Sequence, residues 1–238
     1  MRHVLDLKRS QLERLAQHRD QLRKSPHLRW LFFEITDRCN LKCMHCGSNC
    51  SAEGSYLAVD DIKAALRSAL REKPMICLTG GEPMLHPAFF EIADRVSSMG
   101  FDWGMTTNAT LIDDAAARRL KQAGLCTVSV SLDGMERAHD SFRRQNGAWR
   151  RAIRGLQALQ NAGIDPQVTT VFHRENFHEL EPLYAFLCDI GITNWRPINI
   201  EPIGRACESS GLLLEPDQFA HLLSFIRDRR FDRDCRME

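Results

Sequence analysis

The chain has 238 residues, 43% of them hydrophobic, with 32 Lys and Arg against 31 Asp and Glu for a net charge of +1. That length and apolar content support one large domain with a real core, and so even a charge balance gives no ground to expect a nucleic-acid partner. No run approaches the roughly 18 apolar residues of a membrane span, no secretory segment opens the chain, and nine cysteines in a chain this long do not make a small disulfide frame, so the sequence reads as cytoplasmic with no membrane partner.

Residues 4–24 lack Gly and Pro and repeat Leu5, Leu12, Leu15 and Leu22 at near-helical spacing, which predicts a basic amphipathic helix. Such a helix suits a solvated face, packing over one end of the main domain, or docking of a peptide leader. Beyond it, strand-like runs at 29–36, 75–80, 101–107, 125–132, 164–172 and 194–200 alternate with helical patterns near 57–72, 87–99, 112–124, 147–162, 176–191 and 216–229. Gly124 and Gly163 stand where two of these helices should close. Six βα units in series imply an α/β fold with a parallel sheet, either an open doubly wound sheet or a barrel.

The unusual residues follow the strands. CNLKCMHCGSNC follows the first, GGEP the second, TNAT the third, LDG the fourth, HREN the fifth and EPIGRA the sixth. All six lie at carboxyl ends, the edge that carries active sites in parallel α/β folds. Cys39, Cys43 and Cys46 are spaced Cys-x3-Cys-x2-Cys, and no second Cys-x2-Cys hook occurs downstream to complete a closed zinc site. Three thiolates on one short loop suit a [4Fe-4S] cluster with one iron left open, a site for chemistry at the cluster.

The loop TDRCNLKCMHC closely resembles the cluster-binding loop of the radical S-adenosylmethionine (SAM) enzymes. LTGGEPMLHP (78–87) resembles that family's Gly-Gly-Glu motif, and SLDGMERAHDSFR (131–143) is similar to a stretch of its peptide-modifying and cofactor-maturing branch, often called the SPASM/twitch type. The similarity runs from about Trp30 to Ala206. It implies a partial (β/α)6 TIM-like barrel, a [4Fe-4S] cluster on Cys39, Cys43 and Cys46, SAM on the open iron, and an electron donor such as flavodoxin or ferredoxin. It also implies that Gly80, Gly81 and Glu82 hold the methionine amino group, and that Ser131 and Arg143 meet its carboxylate. Thr107 and Asn108 stand where a ribose would be read, with a turn as the rival role of Asn108. Asp133 and Gly134 are expected to shape a turn.

His45, between two ligands, is not expected to bind metal, and His86, His139, His173 and His178 read as loop or cap residues. Trp103, Trp149 and Trp195 read as packing. Cys77, Cys126 and Cys188 fall in apolar patterns and read as small core residues, whereas Cys50, Cys207 and Cys235 fall in polar stretches. Cys50 and Cys207 are candidate hydrogen-atom donors to a substrate radical, and Cys235 a candidate first ligand of an auxiliary cluster. The expected organisation is a helix over 1–27, a radical SAM core over 28–214, and a last helix over 215–238 leading to an absent or truncated auxiliary domain. The leading expectation for function is modification of a peptide or protein substrate, such as epimerisation or cross-linking. Maturation of a small redox cofactor or modified tetrapyrrole is the alternative, and a non-catalytic Fe-S scaffold is the reading from another class.

Overall fold

The computed structural model describes residues 2–208, 210–230 and 235–237; the side chains of residues 2–8, Leu5 among them, and of Ser210 lie outside the description. Of the closing FDRDCRME, residues 231–234 and 238 are also outside it.

The first helix, α1 (Arg2–Lys24), forms as its pattern predicts, but Leu12 and Leu15 are 66% and 64% exposed. Its described apolar stripe therefore faces solvent and does not pack over the main domain.

The remaining elements alternate. Strands β1 (Trp30–Thr36), β2 (Met75–Gly80), β3 (Trp103–Thr107), β4 (Leu125–Ser131), β5 (Pro166–Phe172) and β6 (Asn194–Asn199) are followed in turn by α2 (Val59–Ala69), α3 (Phe89–Ser98), α4 (Asp114–Gln122), α5 (Glu136–Arg143) with α6 (Ala148–Asn161), α7 (Leu180–Asp189) and α8 (Pro216–Arg229). A two-residue strand, β7 (Arg236–Met237), joins the edge beside β6. Among the described residues the sheet has seven parallel strands in chain order from β1 to β7, and it is not closed.

The two strand faces differ in kind. On β5, Val168, Thr170 and Phe172 are buried under the helices, while Gln167, Thr169 and Val171 form the half-buried opposite face. The helix-facing side builds the core, where Trp195 lies edge-on to Phe172 and Phe225 with ring centroids 5.9 and 6.4 Å away. Trp103 and Trp195 are fully buried, and Trp149 packs against Phe186, so all three tryptophans pack as expected. Helix ends follow local chemistry. The Asp113 side chain accepts the Ala116 N–H to open α4, and Gly124, at φ +84°, closes it.

Two elements are absent from the sequence pattern. Helix α5 is short and mostly polar, burying only His139, Phe142 and Arg143, and β7 is too short to carry a period. The cysteines also depart from expectation. Cys126 is exposed at the start of β4, and Cys77 and Cys188 are only partly buried. Cys235 instead lies fully buried in the main core beside Leu222, Phe225 and Met237. β7 and α8 thus extend the core, and burial there gives Cys235 a packing role.

Candidate functional site

The cysteine loop leaves β1 through a closed neck. Cys39 N–H donates to Ser51 O at 2.8 Å, and Ser51 N–H donates to Asp37 O at 3.2 Å. Its far side is held from two distant segments. Met44 N–H donates to Phe142 O at 2.9 Å, and Arg205 donates from Nε to Cys43 O at 2.8 Å and from Nη1 to Cys50 O at 3.0 Å. Next to it Gly204, at φ +58°, presses so closely on the loop that a Cβ would sit 2.3 Å from Cys46 O. Sequence reasoning missed Arg205. Its only signal was the position of GRA after the sixth strand.

Gly80 and Gly81 serve the same loop. A Cβ on Gly80 would fall 2.0 Å from Thr36 O, and one on Gly81 would fall 2.1 Å from Arg38 O. In the space so gained, Gly81 N–H and Glu82 N–H donate to those two carbonyls at 2.8 Å each. The close approach that these glycines allow is therefore made by the chain's own backbone.

Glu82 lies fully buried behind them. Its carboxylate accepts Thr107 Oγ1–H at 2.7 Å and Asn108 N–H at 2.8 Å, and burial raises its pKa to about 7 against these opposing donors. Asn108 makes the contacts of a turn, with Oδ1 accepting Thr110 N–H, while its Nδ2 donates to Asn40 Oδ1 at 2.9 Å. Glu82, Thr107 and Asn108 thus fix the end of β3 to the cysteine loop.

On the opposite wall, Arg143 is buried with its guanidinium on Asp133. Nε and Nη2 both lie 2.6 Å from Oδ2, and Nη1 lies 3.6 Å from Cys43 Sγ. Asp133 is thus a buried ion-pair partner as well as a turn residue; it also accepts Val171 N–H at 2.9 Å. Burial opposes its charge more strongly than any one neighbour favours it, but Arg143, His45, His139 and the Val171 N–H together outweigh burial and hold its pKa below the usual carboxylate range.

Three rings complete this wall. His45 stacks on Phe142 at 4.4 Å, and Phe142 stacks on His173 at 4.1 Å. Burial lowers the pKa of His45 to about 4, keeping it neutral, and its Nδ1 has no partner among the described residues. His139 is likewise lowered to about 4 by burial, and its Nδ1 accepts Asp133 N–H. His86 caps its loop through Leu57 O and Ala88 N–H, and His178 is exposed.

One cleft gathers nearly every residue singled out from the sequence. Cys39, Cys43, Cys46 and Cys50 line it from the loop, Gly80, Gly81, Thr107 and Asn108 from the second and third strands, and Ser131 and Arg143 from the fourth unit. Glu82 stands behind the cleft. Cys207 is exposed outside it, with Sγ 2.9 Å from Pro202 O.

The donor set suits an iron-sulfur cluster. Leu41 N–H lies 3.4 Å from Cys39 Sγ and Arg143 is near Cys43 Sγ, so two sulfurs already face groups that steady negative charge. Burial raises the Cys39 pKa to about 11 and pushes Cys43 up as well. A bare thiolate is disfavoured there, and a bound iron would take the place of the proton. Among the described residues no three His, Cys, Asp or Glu side chains converge as around a single ion. A four-iron cluster places each thiolate on a different iron and needs no such convergence.

Comparison with known proteins agrees with this geometry. Residues 33–187 match the family described as the radical SAM superfamily. The chain is 31% identical over 211 residues to an "AdoMet-dependent heme synthase" of Nitratidesulfovibrio vulgaris, covering 87% of this chain and 57% of that protein. It is 33% identical over 173 residues to an "Fe-coproporphyrin III synthase" of Methanosarcina barkeri, covering 69% and 41%. The chain thus spans about half the length of these curated relatives. In fold it is similar to Streptococcus suis SuiB bound to S-adenosylmethionine, with a TM-score of 0.70 at 16% identity over 95% of this chain and 54% of that one. SuiB has also been solved bound to the precursor peptide SuiA. No helix among the described residues is long and apolar enough to cross a membrane.

Proposed function

This chain belongs to the radical SAM superfamily, enzymes that use a [4Fe-4S] cluster and S-adenosylmethionine, and on that premise we propose that it is the core of an enzyme maturing a haem-type cofactor. Its substrate would be a tetrapyrrole whose rim carries carboxylate arms. Likeness to the two tetrapyrrole synthases, at 31% and 33% identity, carries this reading. Peptide modification, the leading expectation from the sequence, gives way to it, because SuiB at 16% identity supports the fold alone.

When bound, the reduced cluster and SAM supply a 5′-deoxyadenosyl radical that takes a hydrogen atom from the substrate. The residues of this chain hold and shield that pair. Cys39, Cys43 and Cys46 are the iron ligands, with the fourth position left for the amino and carboxylate groups of SAM. Gly80 and Gly81, at the end of β2, stand where the methionine amine would lie, and Glu82 acts from behind by fixing Thr107 and Asn108. Ser131 and Arg143 face the methionine carboxylate, with Asp133 balancing the buried guanidinium. Of the two thiols considered as hydrogen donors, Cys50 is the one in the cleft. The core domain is assigned to residues 28–214, and a flavodoxin- or ferredoxin-type protein is the electron donor.

The test is anaerobic incubation of cluster-loaded protein with dithionite, SAM and iron coproporphyrin. We expect 5′-deoxyadenosine to form in step with a mass change in the macrocycle. Cleavage that responds to peptides but not to the macrocycle would overturn the proposal.

A further inference from the structure

A second cavity, of about 330 Å³, opens on the same rim between α5 and the loop after β5, with Arg137, Ser141, Phe142 and His173 in its wall. That loop is firmly built. The fully buried Asn176 accepts His173 N–H at 2.7 Å and donates to Val171 O and Asp133 O at 3.0 and 3.1 Å.

His173 is only 2% exposed. Its Nδ1 accepts Glu175 N–H at 3.3 Å, which leaves the ring proton on Nε2, and that buried Nε2 has no partner among the described residues. A buried donor without an acceptor is rare and calls for an explanation, and a bound group is one. Arg137, in the same wall, is exposed and has no hydrogen bond or ion pair among the described residues.

Two acids share the lining. Glu179 accepts Met135 N–H at 2.7 Å and has Oε1 4.0 Å from His178 Nε2, and Glu175 is exposed as Arg137 is, so water and salt screen both of those charges alike. Among the described residues the wall therefore keeps two nitrogen donors unmet, one neutral and one cationic, with the Ser141 hydroxyl beside them. A carboxylate offers an oxygen to each. The volume is at the lower end of ligand pockets, enough for a short acidic arm and too little for a macrocycle. On the other face of Phe142, the ring stack leads to His45 in the cysteine cleft.

We infer that this cavity receives a carboxylate arm of the substrate, with His173 Nε2–H and the Arg137 guanidinium as its two donors. The inference rests on the tetrapyrrole reading above and adds a subsite that sets which part of the ring edge stands near the cleft.

The test titrates cluster-loaded protein, anaerobically, with iron coproporphyrin and with its tetramethyl ester, following the visible absorbance of the macrocycle. Wild-type protein should prefer the acid. Arg137→Gln and His173→Phe should each lower affinity for the acid about ten-fold and leave the ester unchanged. Arg137 is exposed, so its variant keeps the test valid if His173→Phe fails to fold. Equal binding of acid and ester by wild type, or a preference that survives in Arg137→Gln, overturns the subsite and leaves the functional reading standing. Failure of wild type to bind either macrocycle overturns both.

Discussion

The two walls of the cleft are built differently. The wall from β1 to β3 is held chiefly by backbone: Gly80 and Gly81 bring β2 against Thr36 and Arg38, and one buried carboxylate, Glu82, ties in β3 through the Thr107 hydroxyl and the Asn108 N–H. The wall from β4 to β6 is held by side chains, with Arg143 spanning Asp133 and Cys43, Arg205 reaching the loop carbonyls, and three stacked rings. A backbone wall fixes where the cofactor lies, while a side-chain wall sets the electrostatics it meets, and the two should fail in different ways.

The largest effect belongs to the loop that both walls grip. Cys43→Ala should reduce iron from about four per chain to a small residue and abolish 5′-deoxyadenosine formation, measured by iron assay and chromatography. An intact cluster in that variant would remove Cys43 from the ligand set.

Asp133→Asn probes the side-chain wall. It leaves the Arg143 guanidinium buried without a counter-charge, and removing one partner of such a pair costs about 3–5 kcal/mol. Urea denaturation should show the loss. A change under about 1 kcal/mol would mean that Arg143 finds other compensation, and the contrast between the walls would weaken.

The pH dependence separates the walls by sign. Glu82 has its pKa raised by burial from 4.5 to about 7, so the folded state binds the extra proton and the associated stability is lost as pH rises from about 4.5 to about 7. His45 and His139 are lowered by burial from 6.5 to about 4, so their contribution runs the other way, with stability gained as pH rises over about 4 to 6.5. The stability of wild type minus that of Glu82→Gln, measured in urea from pH 4 to 8, should fall with pH and level off above about 7. A difference that rises with pH would reverse the assignment.

Cys50→Ser should do least. Cys50 lies buried beside Cys46, and burial pushes its thiol pKa up to about 12, which suits a protonated neighbour of the cluster. The cluster and SAM cleavage should survive the change, and loss of iron would move Cys50 into the ligand set.

Much of this was legible because local chemistry and spacing suffice for it. Cys39, Cys43 and Cys46 share one short loop, and alternating apolar runs gave six of the seven strands. Helix α5 escaped because its apolar stripe is only two or three residues long, and β7 because two residues show no period. Cys126 was misjudged because an apolar run does not say which end of a strand is covered, and Cys235 because its polar neighbours hide a residue that the sheet edge buries.

The sequence by itself determined the order of βα units, the edge on which chemistry is placed, and the three thiols that meet there, because backbone geometry and strand direction follow from nearest neighbours. Only the tertiary structure decided that Glu82 braces β3, that Arg143 pairs with Asp133, that Arg205 staples a loop some 160 residues away, and that the His173 N–H is buried. Each of these depends on which side chains are desolvated together, and desolvation is a property of the folded packing.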